Sequence, residues 1–195
     1  MVADRAACQG AGMTVIPDLP AILETPRLRL RPFRAEDLGP WCAMMADPDV
    51  VRFLGTGTQA GRPRSSEEAW TLLATLIGQW TLRGYGMLAV EERASGRFVG
   101  RAGIVHLPAW PEPELSYALV REAWGKGYAT EACRAVLEWA WARFPFERLA
   151  SYIAPGNTAS ERVAAKLGAV REGPIDLLGT PVVAWVHRRL PSALA

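Results

Sequence analysis

The stretch Trp124-Gly125-Lys126-Gly127-Tyr128-Ala129-Thr130 joins two segments of different periodicity. Before it, Glu114 to Val120 reads as a strand. After it, Ala129, Ala132, Cys133, Val136, Leu137, Ala140, Trp141 and Phe144 recur at i, i+3, i+4 and i+7, the apolar stripe of a long helix that Pro145 ends. No Ser, Thr, Asp or Asn stands where this helix needs a cap, so its first amides lack a side-chain acceptor. Two glycines without Cβ let an anion approach those amides, the helix end carries partial positive charge, and Lys126 adds a cation. A diphosphate would complete such a loop; a tight strand-to-helix turn is the other use the glycines allow. Two familiar phosphate loops are excluded. No segment fits G-x-x-x-x-G-K-[ST], and the dinucleotide pattern G-x-G-x-x-[GA] fails at Thr130, which argues against a nucleoside triphosphatase or an NAD enzyme.

Working outward, Thr25 to Arg31 alternates apolar and polar residues as a half-buried strand does. Helical spacing runs over Ala35–Ala46, and a short second turn over Pro48–Leu54 stops at Gly55. Gly55 to Arg64 is a loop, and a further helix opens at Ser65 or Ser66 and ends before Gly84. Gly86–Glu91 and Phe98–Leu107 form a hairpin, and Leu149–Ala154 is a strand. Asn157 caps a short helix closed by Gly168, and Ala169–Glu172 and Pro181–Leu190 are late strands. Residues 1–20 lack periodicity and read as a flexible tail; 21–195 form one α/β domain.

The composition narrows the function classes. A chain of 195 residues buries roughly 70% of its unfolded surface and needs no metal or disulfide to fold. Its 22 basic and 20 acidic residues leave a net charge of +2, which argues against a dedicated nucleic-acid binder. Only Lys126 and Lys166 among the basic residues are lysines. Cys8, Cys42 and Cys133 are far apart and have no histidine at ligand spacing, so neither a disulfide framework nor a metal site is expected, and a reducing cytoplasm fits. No run of 18 apolar residues exists to span a membrane.

The loop Trp124–Ala129 resembles the [RQ]-G-x-G-x-[GA] pyrophosphate loop of the GNAT superfamily of acetyl-CoA-dependent N-acetyltransferases, with Trp124 in place of Arg or Gln. Three other stretches are similar to the RimJ/RimL-like branch, whose members acetylate the N-termini of ribosomal proteins. They are Glu24-Thr25-Pro26-Arg27-Leu28-Arg29-Leu30-Arg31, Asp47-Pro48-Asp49-Val50-Val51, and Asn157-Thr158-Ala159-Ser160 followed by Lys166-Leu167-Gly168. The four matches occur in order over about residues 23–190. The resemblance implies a central mixed, mostly antiparallel sheet of six to seven strands flanked by helices, with Glu114–Val120 and Leu149–Ala154 parallel and splayed.

The resemblance also assigns roles. Pantetheine would pair with backbone near Leu119 and Val120, and the pyrophosphate would meet Trp124, Gly125, Lys126, Gly127, Tyr128, Ala129 and Thr130. Asn157 would bond the pantetheine amides, with Ser160 near the thioester; helix capping is the plain alternative for both. Acetyl-CoA is the expected co-substrate, without a metal. The expected partner is a primary amine, either a protein N-terminus or a small molecule, and neither nucleic acid nor membrane. The protein is expected to be a monomer or a homodimer.

At pH 7 roughly a tenth of a free α-amine is neutral, but only a few parts in ten thousand of a lysine amine. A modest base therefore suffices for an N-terminus, and Glu114, opening its strand beside Leu115 and Trp110, is the candidate. A solvated strand-end carboxylate is the alternative. Many superfamily members carry a Tyr acid two residues before the Lys of the last motif. Here that position is Ala164, leaving Ser160 first and Tyr117 second as proton donors. Cys133 lies on the core stripe and reads as packing. Trp110 and Trp185 are candidates to line an acceptor pocket formed around Gly55–Arg83 and Pro174–Thr180. A non-catalytic acyl-CoA-binding regulatory module is the rival reading.

Overall fold

The computed structural model describes residues 22–189. In chain order these form β1 (Leu23–Glu24), β2 (Leu28–Arg31), α1 (Leu38–Ala46), α2 (Pro48–Val51), α3 (Ser66–Arg83), β3 (Met87–Glu92), β4 (Arg97–Val105) and β5 (Glu114–Leu119). Then come α4 (Tyr128–Arg143), β6 (Arg148–Ile153), α5 (Thr158–Lys166), β7 (Val170–Leu177) and β8 (Thr180–Arg188). The strands make one sheet in the order β1-β2-β3-β4-β5-β6-β8-β7. Every neighbouring pair is antiparallel except β5–β6, which α4 joins by the long crossover that a parallel pair needs. The strand beyond the expected seven is β1, two residues long and too short for periodicity to mark. The flexible tail expected at 1–20, and Cys8 within it, lie outside the described residues.

Two apolar layers cover the sheet. Leu28, Leu30, Ile104, Leu115 and Leu149 pack on one face against the stripe Ala132, Cys133, Val136 and Ala140 of α4. On the other face Met87, Val105 and Ala118 meet Trp41 and Met45 of α1 and Leu73 and Leu76 of α3. Helix α3 starts as its residues dictate: the Ser65 hydroxyl accepts from the Glu68 amide, and the Glu68 carboxylate accepts from the Ser65 amide. Gly84, at φ 75°, ends it. Between β3 and β4 the chains lie so close that a Cβ on Gly103 would come within 2.3 Å of the Gly86 carbonyl oxygen.

One expected loop is regular structure. The segment 174–180 lies within the β7–β8 hairpin, and β7 is an edge strand where Pro174 needs no ladder partner on its free side. Its two-residue turn is Leu178-Gly179, both at positive φ (52° and 78°). Such a turn ordinarily advertises itself as Asn-Gly or Asp-Gly, and Leu-Gly carries no such signal. The hairpin is held to the loop before α3, where the Gly57 amide donates to Thr180 Oγ1 at 2.7 Å. Among the described residues no helix is long and apolar enough to cross a membrane.

Candidate active site

Strands β5 and β6 share a single register position, Glu114 opposite Ala150, and then diverge. The Ala150 amide donates to the Pro113 carbonyl, which turns the backbone groups of Leu115, Tyr117 and Leu119 toward β6. The even-numbered groups face β4 instead, as the Val120 amide shows by donating to the Val99 carbonyl at 3.1 Å. The splay opens a cleft of about 1100 Å³. One half is walled by α4, α5 and the loop before α4. The other is walled by α3, the α1–α2 corner and the β7–β8 turn.

The loop before α4 is built to present amides. Gly125 and Gly127 adopt φ 73° and 80°, conformations that side chains disfavour. Among the described residues no acceptor takes the amides of 125–130, and α4 has no side-chain cap. The loop is braced from behind. Arg27 donates through Nη1 to the Lys126 carbonyl at 2.8 Å and through Nε to Glu131 at 2.7 Å, while Thr25 Oγ1 donates to Glu131 at 2.6 Å. Trp124 Nε1 reaches back to the Leu119 carbonyl at 2.9 Å, a contact that pins the end of β5 to the loop. This amide cluster, with open space at Gly125, fits a diphosphate.

Leu119, Trp124, Gly125, Gly127, Tyr128, Ala129, Thr130, Asn157, Ser160 and Glu114 all line the cleft; Val120 and Lys126 do not. Strand parity is the reason for Val120, whose amide is already paired with Val99, so Tyr117 and Leu119 take its place as the residues whose amides face the splay. The Lys126 ammonium lies 4.0 Å from Glu92 and 5.7 Å from the centre of the Tyr128 ring, outside the lining. Asn157 caps α5, its Oδ1 accepting from the Ser160 amide at 3.2 Å. Of the two tryptophans expected near an acceptor, Trp110 lines the cleft, whereas Trp185 does not.

Glu114, Ser116 and Ala118 alternate onto the sheet face that carries α1 and α3. Glu114 Oε2 accepts from Trp110 Nε1 at 2.7 Å. Burial pushes its carboxyl up to about 7, against the opposing pull of the Trp110 hydrogen bond and the Arg101 cation. On the other face Tyr117 Oη lies 2.7 Å from Ser160 Oγ, and burial raises the phenol far above its ordinary value. Cys133 is fully buried in the core, and burial raises its thiol too, which suits packing and not nucleophilic chemistry. No group of His, Cys, Asp and Glu among the described residues is arranged to hold a metal.

Two cleft residues escape the sequence reading. Arg101 on β4 is only 8% exposed, and burial lowers its guanidinium to about 10. Tyr152 on β6 has a buried hydroxyl without a partner. Arg101 is one of twenty arginines, most of them exposed, so its residue type gave no signal; only its place on a central strand does.

Comparison with known proteins bears on the family and the fold. The family model described as "Acetyltransferase (GNAT) domain" matches residues 27–170. The chain is 34% identical over 171 residues to the uncharacterized protein YkkB of Bacillus subtilis, covering 85% of this chain and 95% of that one. A crystal structure of an acetyltransferase from Agrobacterium tumefaciens superposes with a TM-score of 0.77 at 28% identity, over 87% of this chain and 95% of the other. The ribosomal L7/L12 α-N-protein acetyltransferase RimL, solved in complex with coenzyme A, shares the fold with a TM-score of 0.71. At 18% identity, over 86% of this chain and 98% of that one, this likeness concerns the fold alone.

Proposed function

Given that the chain belongs to the GNAT acetyltransferase family and is an acetyl-CoA-dependent acyltransferase, we propose that it acetylates a primary amine by direct attack within a ternary complex. The observation that carries this reading is the half-buried Glu114 carboxyl at the paired end of β5 and β6, in a cleft whose far end meets the unpaired amides of 125–130. A RimJ/RimL-like placement, with a protein N-terminus as acceptor, is supported by the motif order along the chain and by the fold shared with RimL.

Acetyl-CoA, when bound, supplies an acyl thioester whose carbonyl carbon takes the amine nitrogen as the carbon–sulfur bond breaks. The amides of Gly125 to Thr130 hold the diphosphate, and the inward-facing groups of Tyr117 with the Leu119 amide hold the pantetheine arm as a strand would. Asn157, its Oδ1 committed to the cap, offers its amide NH2 to the same arm. Glu114 accepts the proton released by the amine, directly or through a water. The Tyr117–Ser160 hydroxyl pair supplies the proton that the leaving thiolate takes, the function that Ala164 cannot perform. In this reading 21–195 act as one catalytic domain, and no metal takes part.

The test is acetyl-CoA consumption over a panel of peptide N-termini and small amines, with coenzyme A binding measured in parallel by calorimetry. Glu114→Gln is expected to bind coenzyme A normally and to lose about a hundredfold or more in turnover. Full activity of that variant across pH would refute the base assignment. Tight coenzyme A binding with no product from any amine would favour an acyl-CoA-binding regulatory module.

A further inference from the structure

The half of the cleft beyond Glu114 holds donors that no protein group satisfies. Arg101 Nε is buried and has no hydrogen-bond partner, and neither has the buried Tyr152 hydroxyl. The contact of Arg101 Nη1 with Ser116 Oγ is long, at 3.4 Å. Among the described residues no carboxylate lies within 4.0 Å of the Arg101 guanidinium, Glu114 included. Arg101 feels the Glu114 carboxyl only beyond salt-bridge distance, so the hydrogen-bond partner of its buried Nε is to be sought among what the cleft binds.

Sheet register places these donors together. Arg101 pairs with Ala118 across β4 and β5, and paired residues share a face. Ser116 lies on that face by alternation. Tyr152, two residues beyond Ala150, lies on the face to which Glu114 points from the opposite register position. Arg101, Ser116 and Tyr152 thus stand on three adjacent strands, on the same side as the Glu114 carboxyl, and all line the cleft. A guanidinium close to the Ser116 hydroxyl, with the Tyr152 hydroxyl on the same face one strand further on, offers donors that can receive a planar, two-oxygen anion.

We propose that Arg101, Ser116 and Tyr152 form a carboxylate subsite for the acceptor, so that the preferred substrate is a primary amine bearing a carboxylate close to its nitrogen. This rests on the acyltransferase reading and narrows its acceptor. The carboxylate anchors the molecule while the amine faces Glu114. It comes either from a free amino acid or from an acidic side chain next to a peptide N-terminus.

The experiment separates binding from turnover. Calorimetry on the complex with coenzyme A, which has no acetyl group to transfer, would compare α-, β- and γ-amino acids with their carboxamides, and Ser-Glu with Ser-Gln peptide amides. In at least one series the carboxylate member is expected to bind about tenfold or more tightly. Arg101→Gln should abolish the preference, Arg101→Lys should keep part of it, and Tyr152→Phe, which preserves the ring, should reduce it severalfold. Acetyl-CoA consumption by the same compounds is the second readout. Equal binding of acids and amides by the parent protein, or a ratio unchanged in both Arg101→Gln and Tyr152→Phe, would overturn the subsite. A carboxylate preference without turnover would leave the subsite standing and count against the transfer reaction. The series that shows the preference identifies which source of the carboxylate applies.

Discussion

Tyr117 Oη and Ser160 Oγ lie 2.7 Å apart, joining β5 to α5 across the mouth of the splay. The two candidate proton donors are therefore one unit: a serine too weakly acidic to act alone, beside a phenol that burial keeps protonated. Tyr117→Phe and Ser160→Ala are each expected to lower kcat by about 10- to 100-fold. The double variant should be little worse than the worse single one, because each change breaks the same proton path. Steady-state kinetics of the three variants check this, and strictly multiplicative losses would assign the residues separate roles.

With Glu114 as the proposed base, its carboxyl, raised to about 7, should give activity a definite pH dependence. Only the ionised form accepts a proton, so kcat/KM should climb with pH through a limb centred near 7, and Glu114→Gln should erase that limb. Stability runs the other way. Between its ordinary value of 4.5 and about 7 the folded chain holds a proton that the unfolded chain has lost, so stability falls as pH rises through this window. Denaturant midpoints at pH 5 and pH 8 should show Glu114→Gln gaining on the parent protein at the higher pH, by about 2 kcal/mol.

In the proposed reading, backbone presentation and not the lysine charge should carry diphosphate binding. Gly127→Ala forces a Cβ onto φ 80° and should weaken coenzyme A binding by about tenfold or more. Lys126→Ala, its ammonium turned to Glu92 and away from the cleft lining, should change the affinity by no more than about threefold. Calorimetric titration of the two variants ranks the contributions.

A buried ion network holds β2 to the start of α1. Arg31 donates to both oxygens of Asp37 at 2.7 and 2.9 Å and through Nε to Glu91 at 2.7 Å. Removing one anion leaves the guanidinium buried with an incomplete shell. Asp37→Ala is therefore expected to destabilise the fold by about 3 kcal/mol, read from denaturant midpoints. Coenzyme A binding per folded molecule should be unchanged.

Periodic segments were the legible ones. The stripe of α4, the Ser65 cap of α3 and the glycine loop are local patterns, and each element stands within a few residues of its reading. The position of Glu114, opening a strand beside apolar neighbours and lining the cleft, was legible too. Features that depend on pairing were not. The parity that replaces Val120 with Tyr117 depends on which strands flank β5, and the Leu178-Gly179 turn lacks the residues that usually announce one. Arg101 and Tyr152 gain their meaning only when β4, β5 and β6 lie side by side.

In the proposed reading, strand β5 addresses donor and acceptor with different chemistry. Its odd-numbered main-chain groups face the splay, and its even-numbered side chains, Glu114, Ser116 and Ala118, face the acceptor half. Main-chain groups persist through substitution, whereas side chains do not. Sequence drift at 116 or 118, or at the Leu178 turn roofing the same half, can therefore re-tailor the acceptor while the grip on the thioester donor is inherited intact.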